Sequence, residues 1–303
     1  MSAPPPIAHA ATVLLLRETA GALQVLLTKR APGLSFMAGL WVFPGGRLEA
    51  ADLAPALAER SDQAAVADTS SRMLGRDDGQ PIDTPTARGL LVAACRETFE
   101  ESGVLLAMTR DGSAGWDVAR LARVAARRTA AAADPTEFAR MLGDEELLLD
   151  LEHLVYWSHW ITPSFESRRF DTRFFALRVP HDQEASVDYG ELTHHAWLCE
   201  SDVDTHMASG EMKLAPPTRL TLQDLWASHR LHGGLDAMLE GERRRIVPPI
   251  LPKGRMLEGD EAEIVLPWDA GYSAMPGEGC AVLPGYPEYV TAMPSRVRFS
   301  RRR

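Results

Sequence analysis

The chain has 303 residues, of which 42 are acidic and 32 are Lys or Arg, so its formal net charge is −10. This balance argues against a basic surface that binds nucleic acid over the whole protein. At roughly 150 residues per domain, the length allows two domains or one enlarged domain. The 45% of hydrophobic residues suffice for a sizeable core.

The cysteines and the first apolar run exclude further classes of protein. Cys95, Cys199 and Cys280 form no CxxC pair, which indicates neither a disulfide framework nor a thiolate zinc site. The apolar run at 10–16 ends at Arg17. It is too short for a membrane span and lacks the flanks of a secretory signal. We therefore expect a soluble, cytoplasmic protein with no membrane partner.

The first half of the chain predicts a hairpin followed by helices. Two β-prone runs are separated by a polar stretch with a glycine, which is typical of a hairpin. Pro85 marks the boundary before a helix, and Gly103 is expected as the residue that ends it. The predicted elements are strands at 11–16 and 23–28, a loop at 32–46, helices at about 54–66 and at 86–102, and a strand at 104–108.

The second half alternates helices and strands before it becomes rich in Pro and Gly. The predicted elements are a helical segment at about 116–149 broken at Asp134-Pro135, strands at 154–161, 170–179 and 193–198, and helices at 201–210 and 216–231. Beyond Arg245 we expect only short strands. The last eight residues, 296–303, contain five arginines and are expected to form a solvated basic tail.

The chemistry is concentrated near the end of the predicted helix at 86–102. Glu97, Glu100 and Glu101 fall at i, i+3 and i+4, which brings them onto one face within a single turn. At about 5 Å and an effective dielectric constant of about 20, each pair repels by roughly 3 kcal/mol. Mg²⁺ relieves this repulsion by binding carboxylate oxygens, and Arg96 can pair with Glu100 at i+4. The alternative is a solvated acidic helix face.

The stretch 96–104 (RETFEESGV), behind the Pro-Gly-Gly loop at 44–46, resembles the signature of the Nudix hydrolases. Their box reads G-x5-E-x7-R-E-U-x-E-E-x-G-U, where U is aliphatic. The second half matches at every fixed position, with Thr98 in place of an aliphatic residue. In the first half Gly46 is followed by Asp52 where the family has Glu. Between Asp52 and Arg96 lie 43 residues where the family has seven, so the box is split by an insertion at about 53–85.

A second resemblance narrows the branch of this superfamily. Coenzyme A diphosphatases carry the motif LLTxR[SA]-x3-R-x3-G-x3-FPGG upstream of the box, and this chain has LLTKRA at 26–31, Gly39 and FPGG at 43–46. Ser35 occupies the internal Arg position of that motif. A long insertion inside the box is a property of the peroxisomal-type branch. That branch also has stretches similar to 160–163 (WITP) and 169–175 (RFDTRFF).

The resemblance implies an α/β protein with the Nudix fold, an α/β/α sandwich with a mixed sheet. It implies a Nudix domain at 8–205, which includes the insertion, and a C-terminal extension at 206–303. The implied activity is Mg²⁺- or Mn²⁺-dependent hydrolysis of a pyrophosphate bond. The first expected substrate is CoA or an acyl-CoA, which gives 3′,5′-ADP and a 4′-phosphopantetheine product.

The resemblance also implies roles for residues at matching positions. Glu97, Glu100 and Glu101 are expected to bind metal with the main-chain carbonyl of Gly45, while Arg96 orients the cluster. The general base is either Glu97 or a carboxylate outside the box, for which Glu191 is the candidate. The alternative for Glu191 is a surface loop glutamate. The expected substrate-binding residues are Arg30, Gly46, Arg168 and Arg169, of which the last two sit in a turn and could hold the 3′-phosphate of CoA.

Two alternatives to CoA hydrolysis stay open. The substrate could be ADP-ribose, a dinucleotide or a nucleotide sugar, since Ser35 breaks the CoA motif. The protein could also be a non-catalytic Nudix-fold regulator that binds a nucleotide, although such modules usually lose box carboxylates. The expected partner is a small nucleotide or CoA substrate, without nucleic acid or a membrane, and a homodimer is left open.

Overall fold

The computed structural model describes residues 6–34, 36–110, 117–187, 191–259, 261–280, 286 and 288–300. Within them the strands are β1 (Ile7–Thr19), β2 (Ala22–Arg30), β3 (Trp41–Val42), β4 (Gly45–Arg47), β5 (Ala107–Thr109), β6 (Leu147–Leu149), β7 (Val155–Ile161), β8 (Arg169–Arg178), β9 (Leu192–Leu198), β10 (Pro249–Ile250), β11 (Lys253–Met256), β12 (Glu261–Val265) and β13 (Arg296–Ser300). The helices are α1 (Pro55–Ala58), α2 (Gln63–Ser70), α3 (Thr84–Ser102), α4 (Val118–Ala126), α5 (Arg128–Ala133), α6 (Pro135–Asp144), α7 (Glu200–Ala208), α8 (Pro216–His232), α9 (Leu235–Glu242) and α10 (Glu288–Thr291), with short 3-10 helices at Ala50–Leu53 and Tyr272–Ala274.

A mixed sheet forms the centre of the molecule. Its main strand order is β10-β7-β8-β1-β2-β3, with β4 paired to β1 and β9 paired to β2. Strand β1 runs parallel to β8 and antiparallel to β2, so the predicted hairpin is confirmed. On the same edge as β2, residues 10–12 of β1 pair with β4, which places Gly45 and Gly46 opposite Thr12 and Ala11.

The apolar run of β1 explains the layers on both faces of this sheet. Successive side chains of a strand point to opposite faces. Val13 and Leu15 therefore join one hydrophobic cluster, which includes α3, and Leu14 and Leu16 join another, which includes α8 and α9. All four side chains are fully buried. Helices thus cover both faces, which confirms the expected α/β/α sandwich.

Helix α3 begins two residues earlier than predicted. The Asp83 side chain caps it by accepting a hydrogen bond from the Thr86 N–H, at 2.9 Å. Pro85 lies in the first turn, where a missing N–H leaves no bond unmade, so it does not bound the helix as predicted. The helix ends as predicted at Gly103, whose φ of 73° is in the left-handed region that glycine favours.

Two other predicted elements are wrong. The helix at 54–66 is interrupted, because the Asp62 side chain accepts hydrogen bonds from two N–H groups and so begins α2 anew. The strand at 104–108 is reduced to β5, which pairs with β6, although residues 104–106 are buried. The break at Asp134-Pro135 is confirmed, since Asp134 caps α6 and Pro135 is its first residue.

The C-terminal arginines are not all a solvated tail, as had been predicted. Residues 296–300 form β13, which pairs antiparallel with β12. The Nε atoms of Arg296 and Arg298 donate to Asp269 and Glu263, each at 2.9 Å. These carboxylates neutralise the arginines, and residues 301–303 lie outside the described residues. Among the helices in the described ranges, none combines the length and the apolar character that a membrane span needs.

Candidate active site

The last turns of α3 carry the three predicted carboxylates beside the Pro-Gly-Gly loop. Most of the helix is buried against the sheet, so its exposed side is narrow. Glu97, Glu100 and Glu101 are all partly buried. The Glu97 carboxylate lies directly against Gly46 of β4. The N–H of Gly45 donates to Glu101 Oε2 at 2.9 Å, so the loop and the helix are joined directly.

The buried side chain of Arg96 donates hydrogen bonds to two of the three carboxylates. Its side chain is 2% exposed, and its Nη1 donates to Glu97 Oε1 at 2.9 Å and to Glu100 Oε2 at 3.0 Å. Its Nη2 also donates to the main-chain oxygen of Arg47 at 3.0 Å. The expected pair with Glu100 is therefore confirmed, and Arg96 holds two of the three carboxylates at once.

Asp52 fixes the other edge of the Arg96 guanidinium. Its two carboxylate oxygens accept from Arg96 Nε at 2.8 Å and Nη2 at 3.0 Å, and the Asp52 side chain is fully buried. One of those oxygens also accepts from the Glu49 N–H at 2.8 Å. The sequence places Asp52 at the box Glu position without a role. In the structure, Asp52 holds the Arg96 guanidinium in place.

Gly45 and Gly46 are glycines because a side chain has no room at either position. A Cβ at Gly45 would lie 2.4 Å from the main-chain oxygen of Ala11. A Cβ at Gly46 would lie 2.2 to 2.6 Å from the carboxylate atoms of Glu97. Both distances are well inside van der Waals contact, so Gly45 allows the close pairing of β4 with β1, and Gly46 leaves the space that the Glu97 carboxylate occupies.

The electrostatics of the cluster favour a cation. Burial raises the pKa of Glu100 to about 7, against the opposing charge of Arg96. Burial and the charge of Glu97 raise the pKa of Glu101 to about 8, and burial raises that of Glu97 as well. One arginine does not neutralise this many desolvated carboxylates, so an added positive charge would restore their ionised forms.

The donor set fits a divalent metal ion. Glu100 Oε1 is buried and has no hydrogen-bond partner, so one ligand atom is available. As the side chains lie, no three His, Cys, Asp or Glu residues of the described chain are gathered closely enough to hold a metal. The carboxylates are instead taken up by Arg96 and by the Gly45 amide. Carboxylate and carbonyl oxygens are the ligands that hard divalent cations prefer.

Arg30 and Glu191 meet at the end of β2, next to this cluster. Arg30 Nη2 lies 3.3 Å from Glu191 Oε2, and the Ala31 N–H donates to the main-chain oxygen of Glu191 at 2.8 Å. The Glu191 charge raises the pKa of Glu97 and of Glu101, and the Arg30 charge lowers that of Glu101. Both residues thus lie near enough to influence the cluster by their charge, while the Glu191 side chain is 67% exposed.

The predicted pair Arg168 and Arg169 lies elsewhere. Ala11 pairs with Gly46 on one side and with Arg173 of β8 on the other. Arg169 lies four residues before Arg173, about 13 Å along the strand. Arg168 is exposed in the preceding turn. The structure does not bring these two arginines to the carboxylates, and Ser35 of the CoA motif lies outside the described residues.

Arg128 also contacts the helix end that carries the carboxylates, and the sequence did not indicate this contact. Its Nε donates to the main-chain oxygen of Glu100 at 2.9 Å, and its Nη1 donates to Ser186 Oγ at 2.8 Å. It thereby links the end of α3 to the segment that leads toward Glu191. No spacing rule could have found it, because Arg128 belongs to α5, outside the signature.

The fold and this cluster define a class of protein. An α/β/α sandwich with a mixed sheet, in which a helix ending in the RExxEExG pattern meets a Pro-Gly-Gly loop, is the Nudix fold. The crystal structure of a NUDIX hydrolase from Alicyclobacillus acidocaldarius aligns with a TM-score of 0.59 at 25% identity, over 78% of this chain and 96% of that chain.

A family model described as the NUDT19 Nudix domain matches residues 6–225, and the chain therefore belongs to that family. Acyl-coenzyme A diphosphatase NUDT19 of Homo sapiens is 29% identical over 221 residues, 64% of this chain and 58% of the human protein. The protein of that name from Gallus gallus is 31% identical over 225 residues, 64% of this chain and 58% of its own. The chain thus spans less than two thirds of these relatives. The resemblance to this branch, drawn from the split box, is confirmed.

Proposed function

We propose that the protein hydrolyses the pyrophosphate bond of CoA or an acyl-CoA, giving 3′,5′-ADP and (acyl-)4′-phosphopantetheine. The observation that carries this proposal is the buried Arg96 guanidinium, which holds Glu97 and Glu100 beside the glycine loop. The names of the related acyl-coenzyme A diphosphatases support the choice of substrate. The proposed location remains the cytoplasm and a homodimer remains open, both on the sequence alone.

The proposed metal ligands are Glu97, Glu100, Glu101 and the carbonyl of Gly45. A bound divalent cation, Mg²⁺ or Mn²⁺, would neutralise the charge that develops on the phosphate oxygens. Arg96 keeps two of the carboxylates oriented through its contacts with them. The buried Oε1 of Glu100, which lacks a hydrogen-bond partner, favours this assignment.

The proposed chemistry needs a base, a nucleophilic water and a leaving phosphate. A carboxylate takes a proton from the water, the water oxygen bonds to one phosphorus, and the P–O bond to the bridging oxygen breaks. Glu97 and Glu191 are the candidates for the base. The pair of Glu191 with Arg30, together with the effect of the Glu191 charge on the pKa of Glu97, supports keeping Glu191 as a candidate.

The structure offers more support for some of the proposed substrate-binding residues than for others. Arg30 is 18% exposed and lies beside the cluster, where its guanidinium can hold a phosphate by two parallel hydrogen bonds. Gly46 is kept as a proposed substrate contact because it lies directly against the Glu97 carboxylate. Arg168 and Arg169 stay a prediction for the 3′-phosphate, although about 13 Å of strand separates Arg169 from the level of Gly46.

The test is a hydrolysis assay with product masses. The purified chain is incubated with CoA, acyl-CoA, ADP-ribose, diadenosine polyphosphates and UDP-glucose, each with Mg²⁺, Mn²⁺ or EDTA. We expect metal-dependent cleavage of CoA or acyl-CoA, lost by about 100-fold or more in Glu100→Gln. Glu152→Gln, an exposed glutamate in a turn, is the control and should keep full activity. Cleavage of ADP-ribose alone would refute the substrate, and no metal-dependent cleavage of any compound would refute the activity.

A further inference from the structure

Apart from the candidate active site, a cleft of about 490 Å³ lies where β1 and β8 begin, near the first turn of α3. We call it the insertion cleft, because Arg76 and Ile82 of the box insertion form one wall of it. His9, Arg169 and Glu278 contribute from β1, β8 and the C-terminal extension. Its volume lies in the usual range for small-molecule sites.

Buried arginines are built into this cleft. The Arg169 side chain is 1% exposed, and its Nε donates to the main-chain oxygen of Thr162 at 3.1 Å. Arg173 is fully buried and donates to the main-chain oxygen of Leu74 at 3.1 Å. Each guanidinium is thus hydrogen-bonded to a main-chain carbonyl, and both are almost completely shielded from water.

Glu278 differs from the other carboxylates of the cleft in its exposure and in the glycines on either side of it. Glu278 Oε2 accepts from Arg169 Nη2 at 2.6 Å and lies 3.8 Å from Arg76 Nη1, yet the Glu278 side chain is 34% exposed. It stands between Gly277 and Gly279, and the φ of Gly277 is 115°. A residue flanked by glycines on a surface segment can move away with little hindrance.

Withdrawal of Glu278 would leave the cleft with an excess of positive charge. Asp77 is bound to Arg76 at 2.7 and 3.0 Å, and Asp171 is bound to Arg173, so both are already paired. The guanidinium of Arg169 would then lose its carboxylate while buried, which is strongly unfavourable. A different oxyanion in the same place would restore the pairing.

We propose that the insertion cleft binds the phosphate group of a small molecule, separately from the hydrolytic centre, and that Glu278 competes for that place. Arg76 and Arg169 come from different elements of the fold, and His9 adds a ring nitrogen. These groups approach from several directions, so they can bind more oxygens than the two of a planar carboxylate. A phosphate presents three or more oxygens to guanidinium groups. The box insertion therefore provides a second ligand site to this Nudix domain.

Thermal unfolding with inorganic phosphate tests the site without any activity assay. Ionic strength is held constant with NaCl, and EDTA is present throughout. In Glu278→Gln, phosphate at ten times its Kd should raise Tm by about 3 °C, and the wild type should need at least about tenfold more phosphate for that shift. Arg76→Gln in the Glu278→Gln background should lose the shift. Glu261→Gln, an exposed acid of β12, is the control and should match the wild type.

The outcomes separate a site from a general salt effect. Equal shifts in all four proteins, or no shift in Glu278→Gln, would overturn the proposal. If Glu278→Gln does not fold, Glu278→Asp shortens the carboxylate arm and should give an intermediate phosphate affinity. The independence of the cleft from the hydrolytic centre has its own assay, which rests on the proposed function. The role of Arg169 in this separate site excludes the role predicted for it at the 3′-phosphate of CoA. Arg76→Gln should leave the ratio of kcat/KM for CoA and 3′-dephospho-CoA within about twofold of the wild type, and a tenfold fall would refute the independence and favour the 3′-phosphate role instead.

Discussion

Asp52→Asn is the substitution that most directly tests how the candidate site is held together. Asp52 and Arg96 are joined by two hydrogen bonds of 2.8 and 3.0 Å, and both side chains are buried. The asparagine keeps the shape but removes the charge, and its NH₂ group turns a donor toward a donor. Neutralising one partner of a buried ion pair costs about 3–5 kcal/mol of stability. For a chain of this size, the loss corresponds to a Tm lower by about 10 °C.

The free energy of unfolding is measured by urea denaturation in EDTA, so that no metal contributes to it. Asp68→Asn is the matched control, because Asp68 forms an exposed i,i+4 pair with Arg72 at 3.0 Å. Such exposed pairs contribute about 0–1 kcal/mol. Because Arg96 orients Glu97 and Glu100, Asp52→Asn should also reduce kcat for the proposed substrate by about tenfold or more.

A double-mutant cycle decides whether the pair acts as a unit. Asp52→Asn and Arg96→Gln should each destabilise the protein strongly, whereas the double variant should lose much less than their sum. If Asp52→Asn costs less than about 1 kcal/mol, or if the two effects add, the assigned role of the buried pair is refuted.

Three further predictions concern single positions. Gly46→Ala should fold but lose hydrolysis by about tenfold or more, since its Cβ would overlap the Glu97 carboxylate; an unchanged rate would contradict this geometry. Glu191→Gln should reduce kcat by about 100-fold or more if Glu191 is the base, and Glu184→Gln, an exposed glutamate before it, should not. Burial raises the pKa of Asp224 to about 6, so its contribution to stability should decline as pH rises from about 4 to 6. Urea titrations should show that Asp224→Asn flattens this pH dependence, and an identical slope in the variant would contradict it.

Local spacing was sufficient wherever neighbours in sequence are neighbours in space. The i, i+3, i+4 pattern placed Glu97, Glu100 and Glu101 together, and the Arg96 to Glu100 pair followed from one helical turn. The glycine at 103 marked the helix end, because few other residues adopt the left-handed conformation. The hairpin of β1 and β2 followed from two apolar runs around a short turn.

Contacts between distant segments were beyond that reasoning. Glu191 lies beside Arg30 because β9 pairs with β2 in a register that places Arg30 opposite Leu192. Arg169 is predicted from the sequence to hold the 3′-phosphate of CoA, and only the strand order shows that it lies in the insertion cleft. Residues 296–300 were expected to be a solvated tail, but they pair with β12 as a strand, and Asp269, which follows β12, accepts a hydrogen bond from Arg296.

The sequence by itself determined the helix and the placement of its three carboxylates, because these depend on periodicity and on spacing within a turn. The mixed α/β class came from the resemblance of the motifs to the Nudix hydrolases. Only the tertiary structure decided that Asp52 reaches Arg96 across the box insertion. The same holds for the cleft that the insertion forms with β8 and Glu278. Loop closure costs little more for a long loop than for a short one, so the spacing in the chain does not reveal which distant groups become partners. The shape and charge of the folded surfaces make that choice.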